Sequence, residues 1–383
     1  MVTAAQPLFR ADRVRHLGPN WYASVMGTAV VGSAGVALPG TGHGSRGVLA
    51  AVWALSLLLL VVLLTARTLH WSRHRDQARA HLLDPATAPF YGCPAMALLA
   101  VGGGALTTGR ELIGTRAAVT LDSVLFTTGT VTGLGAAVAV PYLMAVRHRA
   151  GVAEATPVWL LPLVAPMVSA AAGPLLVPHL PPGQPRETLL LGSFALFGLS
   201  LLAVLLMLPL VFARLITSGP LPPALTPVLF LVLGPLGQST TAVALVADAA
   251  EGVVPAPYDR GLAVFAVLYG VPVMGFALLW LGLSVALVVR ARRHGMGFTL
   301  AWWAFTFPVG TCVTGAAALA RHTGLAVYDV LAAGLYAVLV AAWLAAACGT
   351  ARGLLSGELL AAPRPAPVEP VPATARTRSG AVR

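Results

Sequence analysis

The sequence predicts an all-α integral membrane protein with ten transmembrane helices. Three observations carry that reading. Hydrophobic residues fill 57% of the 383 positions and charged residues only 10%, against roughly a quarter charged in soluble domains. Mean hydropathy is +0.83. Apolar runs of about 20 residues, enough to cross a ~30 Å hydrocarbon core, recur at 20–38, 47–66, 89–109, 121–145, 157–178, 188–212, 224–247, 261–289, 299–320 and 327–349. Finally, arginine alternates between the connecting segments. Such a chain cannot cover a water-facing surface, and it is neither disordered nor a disulfide scaffold.

All 24 basic residues are Arg. Eighteen lie in the N-terminal segment, the loops 67–88, 146–156, 213–223 and 290–298, and the C-terminal tail. The opposite loops hold six: Arg46, Arg110, Arg116, Arg186, Arg260 and Arg321. Positive charge accumulates on the cytoplasmic side, so this bias predicts a multi-pass protein of the cell (plasma) membrane with both termini cytoplasmic. The net charge of +11 is then a matter of topology and implies no nucleic-acid partner. Residues 1–19, with Arg10, Arg13 and Arg15, form a cytoplasmic N-terminal segment rather than a cleaved leader. Residues 20–349 form the transmembrane domain. The Pro-, Ala- and Arg-rich tail 350–383 is expected to be a disordered cytoplasmic extension. Cys93, Cys312 and Cys348 sit in apolar runs and read as small buried hydrophobes.

A repeat underlies the spans. Pro162, Pro235 and Pro308 are spaced by 73 residues, and Gly27 and Pro94 fall 135 and 68 residues before Pro162. All lie in odd-numbered spans, where Pro166, Gly173, Pro174, Pro227, Gly234 and Gly237 add further breakers. Proline removes a helical hydrogen bond and kinks the helix. Broken helices are tolerated in lipid where they face protein or a wet cavity. The alternation predicts an inner ring of kinked odd helices lining a path, with the even helices outside.

The lining is neutral and polar: Thr28, Thr107, Thr108, Ser169, Gln238, Ser239, Thr240, Thr241, Thr306, Thr311 and Thr314. Hydroxyls, amides and half-helix N-termini hold an anion weakly enough to release it. Proline in the first turn of a second half-helix would aim such an N-terminus inward, and basic cytoplasmic vestibules would concentrate anions. Asp122, His179, Asp248 and His322 fall near the outer span ends and read as interfacial, which favours a passive channel or loosely coupled uniporter over a proton-coupled carrier. His70, His74 and His81 share one face of a continuous loop helix at metal-ligand spacing. Four neighbouring Arg make a solvated juxtamembrane helix the better reading, so no metal or cofactor is assigned. An intramembrane enzyme would need clustered acids, a metal set or a nucleophile–base pair, and the sequence offers none.

The segments GPNWYASVMGTAVVG, WLLPLVAPMVSAAAG, LFLVLGPLGQS and WWAFTFPVGT resemble the tellurite-resistance/dicarboxylate transporter family. Its members include slow anion channels, malate permeases and sulfite efflux pumps. The likeness runs from about Asn20 to Leu344. It implies five helical hairpins in quasi-fivefold arrangement around a central pore, assembled as a homotrimer in membrane lipid. It also implies that a ninth-helix phenylalanine, Phe307 here, plugs the pore. The motifs lie closer to the sulfite and malate branches than to the plant channels. The expected substrates are therefore small anions, sulfite or a C4-dicarboxylate such as malate, with a chloride/nitrate-type channel as the alternative.

Overall fold

A computed structural model describes residues 15–40, 42–148 and 151–360. The described residues are helical and contain no strand. The ten principal helices are α1 Tyr22–Ala37, α2 His43–Arg73, α3 Gly92–Gly104, α4 Thr115–Leu143 and α5 Leu161–Leu176, followed by α6 Gln184–Thr217, α7 Leu233–Ala250, α8 Tyr258–Arg293, α9 Phe307–Thr323 and α10 Ala326–Leu355. Nine helical stretches among the described residues are long and apolar enough to cross a membrane, one fewer than expected. The exception is α1, whose 16 residues fall short of the ~20 a crossing takes.

Burial separates the helices into two sets. The stretches containing α3, α5, α7 and α9 have 72%, 94%, 89% and 89% of their apolar windows buried, whereas α2, α4, α6, α8 and α10 have 17–33%. The odd helices are apolar all round and surrounded by protein, and the even ones turn a broad apolar face outward, as lipid-facing helices do. Each odd helix packs on the even helix that follows it. Around the inside, α1 packs on α3, α3 on α5, α5 on α7, α7 on α9, and α9 returns to α1.

The proline repeat has a different local meaning from the kinks anticipated. Every odd helix is preceded by a 3-10 segment: Pro19–Trp21, Ala88–Tyr91, Pro157–Leu160, Pro223–Val232 and Leu300–Phe305. Pro94, Pro162, Pro235 and Pro308 occupy the second or third position of the α-helix that follows. There the missing N–H would have had no helical acceptor anyway, so these prolines start helices rather than bend them. Among the odd helices, only Pro166 and Pro174 of α5 lie in an α-helical interior. Helix α3 loosens at its far end into a π turn, Ala105–Gly109.

Outer helices brace inner ones. Trp53 Nε1 of α2 donates to the Val101 carbonyl of α3 at 3.0 Å, and Trp280 Nε1 of α8 to Leu229 at 2.9 Å. Ser200 of α6 donates to the Leu163 carbonyl at 2.6 Å, Thr130 of α4 to Ser169 Oγ at 3.0 Å, and Trp343 of α10 to Thr28 Oγ1 at 3.1 Å. Without water, backbone and hydroxyl groups must find protein partners, and all five even helices supply them.

Several smaller expectations change. Helix α10 runs on to Leu355, and Leu359 of the 3-10 turn Glu358–Leu360 packs over Gly353. The tail expected to be disordered from 350 is therefore folded as far as 360; residues 361–383, like 1–14, lie outside the described residues. Cys93 and Cys312 are buried, but Cys348 is exposed on the outer face of α10.

Candidate functional site

Two cavities lie along the inside of the odd helices. The first, about 460 Å³, is bordered by the beginnings of all five, including Met26, Cys93, Trp159, Leu231 and Ala304. The second, about 230 Å³, is bordered by their later halves, including Ser33, Thr107, Ala171, Gln238 and Thr314. Among the described residues, none of an even helix borders either one, and Phe307 alone borders both. It is the first residue of α9, fixed there by the change from 3-10 to α winding at Thr306 and by Pro308 behind it. Its side chain is 5% exposed, so it faces protein and not the acyl chains.

The other sequence-predicted residues divide. Gln238 borders the second cavity and Pro308 the first. Gly27, Thr28, Pro94, Pro162, Pro166, Pro235, Ser239, Thr306 and Thr311 border neither. Gly27 is the crossing point of α1 with Thr306 and Trp303; a methyl group there would meet the Thr306 hydroxyl. Thr28 donates to the Ser24 carbonyl at 2.7 Å and receives the Trp343 bond. Thr306 and Thr311 donate to backbone carbonyls three residues back, both at 2.7 Å. These hydroxyls satisfy the helix backbone and its neighbours instead of facing a lumen. The hydroxyls that do border the second cavity are Ser33, Thr107, Thr241 and Thr314. Thr241 and Thr314, 2.8 Å apart, link α7 to α9.

The charges also differ from expectation. Among the described residues, no arginine lies in the wall of the first cavity, and its one charged group is Glu154. Arg67 is instead buried and structural, donating to the Leu17 carbonyl at 2.6 Å and to the Tyr91 hydroxyl at 3.2 Å. The one charged residue bordering the second cavity is Arg321, which sequence reading passed over as a loop residue at a span end. It pairs with Asp248 at 3.3 Å, and His322 approaches the other Asp248 oxygen at 2.9 Å. Asp122, read as interfacial, is completely buried.

The histidine trio does not lie on one continuous helix, because the chain breaks at His74 between α2 and the short helix Arg75–Leu83. His70 is fully buried, and its ring stacks on that of His81 at 5.5 Å; the short helix is docked along Ala78 and His81 while Arg75, Asp76, Arg79 and Ala80 stay exposed. Burial and the nearby Arg67 guanidinium push the His81 imidazole below its ordinary value. Among the described residues no three His, Cys, Asp or Glu side chains are grouped to hold a metal.

Two largely apolar cavities enclosed by buried helices, within a shell of lipid-facing ones, define a polytopic membrane protein that moves small solutes: a channel or transporter rather than an enzyme. The chain belongs to the voltage-dependent anion channel family, whose model matches residues 16–351. It is 24% identical over 352 residues to an uncharacterized transporter of Methanocaldococcus jannaschii, covering 91% of this chain and 97% of the relative. It is also 24% identical to the sulfite efflux pumps of Arthroderma otae, over 341 residues, and Trichophyton rubrum, over 348 residues; each match covers 86% of this chain and 88% of the pump.

Proposed function

We propose that the chain passes small oxyanions, sulfite foremost, along a central pore running from the first cavity to the second, with Phe307 as the gate. The observation that carries this is the position of Phe307 as the sole residue common to both cavities. An aromatic ring between two otherwise continuous spaces excludes water and ions until it rotates away. Sulfite comes first because sulfite efflux pumps match along nearly the whole chain; malate is the second substrate to test.

The chemistry of the walls suits an anion that must bind and leave. Neutral hydroxyls and the Gln238 amide line the second cavity, and the α-helical N-termini at Leu161 and Phe307 adjoin the first. Partial positive charge at such termini attracts anions without trapping them. Arg321 offers the second cavity one full positive charge at its mouth, half occupied by Asp248. The cycle of odd helices supports a quasi-fivefold protomer, and the arginine bias supports cytoplasmic termini in the plasma membrane. On this reading α1 completes the ring as a tenth, short crossing, and three protomers assemble with one pore each.

Reconstituted liposomes loaded with sulfite, malate, chloride or nitrate, with and without a pH gradient, test the reading. Sulfite flux that increases in Phe307→Ala supports it; equal flux of folded wild type and variant for every anion removes the gate.

A further inference from the structure

Asp122 of α4 is 0% exposed, and neither carboxylate oxygen has a hydrogen-bond partner. Buried polar groups are almost always paired, and an unpaired buried charge costs far more than an unpaired neutral group. The carboxyl lies against the backbone of α3 at Gly102, where a methyl group would stand 2.5 Å from Oδ1. The same point of Gly102 also faces Leu125 of α4, and Trp53 of α2, which meets Gly104 two residues on, has its N–H already committed to Val101.

Among the described residues no opposite charge compensates it. On α3 and its continuation, Arg110 and Glu111 are exposed; Glu111 pairs with Arg46 of α2 at 3.3 Å. On α4 itself, Arg116 is exposed. Beyond α5, His179 is exposed, and Arg186 donates to the Leu180 and Pro178 carbonyls; Glu187 lies beside it at the start of α6. Asp122 forms no ion pair with any of them.

An unpaired carboxylate costs far more in this packing than the neutral acid does. The next two residues of the same glycine run, Gly103 and Gly104, border the second cavity, and the π turn begins immediately after them. Single π turns are local loosenings of a helix, frequent at functional sites. Whatever disturbs Gly102 therefore reaches the cavity wall within one residue.

We propose that Asp122 is a proton-binding site behind the pore wall, and that its protonation state sets the position of α3 and hence conduction. The acid O–H ionises to a carboxylate and a proton released to water; no other bond changes. With the proton bound, α3 packs as seen here, with Phe307 between the cavities. Without it, the charge draws water or leaves Gly102, and the glycine run and π turn shift. This coupling rests on the gate reading above; the proton site itself does not.

The test uses the full-length protein in liposomes. Infrared difference spectra between acid and alkaline buffer should show a protonated-carboxyl band in wild type that is lost in the near-isosteric Asp122→Asn. Sulfite flux should rise from acid to alkaline pH in wild type and stay at its acid-limit value, without pH dependence, in Asp122→Asn. Gly102→Ala, which crowds the carboxyl, should shift the midpoint of the flux profile. A band unchanged in Asp122→Asn overturns the proton site. A band that is lost while the flux profile stays that of wild type overturns the coupling. Because the spectra do not depend on Phe307, failure of the gate and failure of the proton site are distinguishable.

Discussion

Gly237 of α7 faces the backbone of Thr311 on α9 so closely that a methyl group on it would stand 2.5 Å from the Thr311 carbonyl carbon. The obstacle is main chain, so no side-chain rotation can relieve it. The two helices that contribute Gln238 and Phe307 to the cavities are held together at this point. Gly237→Ala should lower stability by about 1–3 kcal/mol, the usual cost of overpacking. A thermal-unfolding series in detergent with ligand-free protein would read it; an unshifted midpoint would mean the crossing is looser than described.

Removing the aromatic ring should open the passage in proportion to the volume removed. Phe307→Ala is expected to raise basal anion flux on the order of tenfold, equivalent to ~1.4 kcal/mol of barrier. Phe307→Leu should fall between the two, and Phe307→Trp should not exceed wild type. A flux order that ignores side-chain size contradicts a steric plug.

Arg321 and Asp248 compete at the mouth of the second cavity. Arg321→Gln should weaken apparent anion affinity about two- to fivefold, as loss of one half-exposed charge allows. Asp248→Asn frees the guanidinium and should strengthen it. Both effects should shrink with added salt. Initial rates against anion concentration on that face provide the check; variants that change affinity in the same direction would disprove competition.

Acid should loosen the short helix Arg75–Leu83. The His81 imidazole is held below its ordinary value of 6.5 by burial and by Arg67, so its neutral form is the one that stabilises docking. That stability is fully present above pH 6.5 and is lost as pH falls through the lower folded value. Asp76, which pairs with Arg15 at 2.9 Å, is held below the usual carboxylate range first by the Gln77 backbone N–H, so it stays charged across that window. Amide protection factors for residues 75–83 should therefore fall between pH 7 and 5 in wild type and change less in His81→Gln.

The fold was legible where the physics is one-dimensional. Hydropathy located the long helices, and the proline spacing separated odd from even because a first-turn proline recurs at four of the five places where a 3-10 segment gives way to an odd helix. The membrane-embedded hydroxyls were less legible. Thr28, Thr306 and Thr311 look identical in sequence to Thr241 and Thr314; all five bond backbone carbonyls, and only helix rotation decides which also border a cavity. Three-dimensional neighbours likewise hid Arg321, whose loop position says nothing of the cavity below it, and Asp122, which meets its glycine only once α3 and α4 pack. The apolar run 20–38 suggested a full crossing, but α1 winds for only 16 residues because the chain before Tyr22 is 3-10, and its place is set by the helices on either side.

The meeting of two cavities at Phe307 has an electrical consequence. If the two spaces form the proposed pore and are hydrated from opposite sides, each follows the potential of its own bulk solution, and the membrane voltage falls across a septum one aromatic ring thick. Moving one elementary charge through the full field is worth about 2.3 kcal/mol per 100 mV, and here nearly all of that work is done over a few ångströms. An ion at the proposed gate would thus feel almost the entire driving force beside a single side chain.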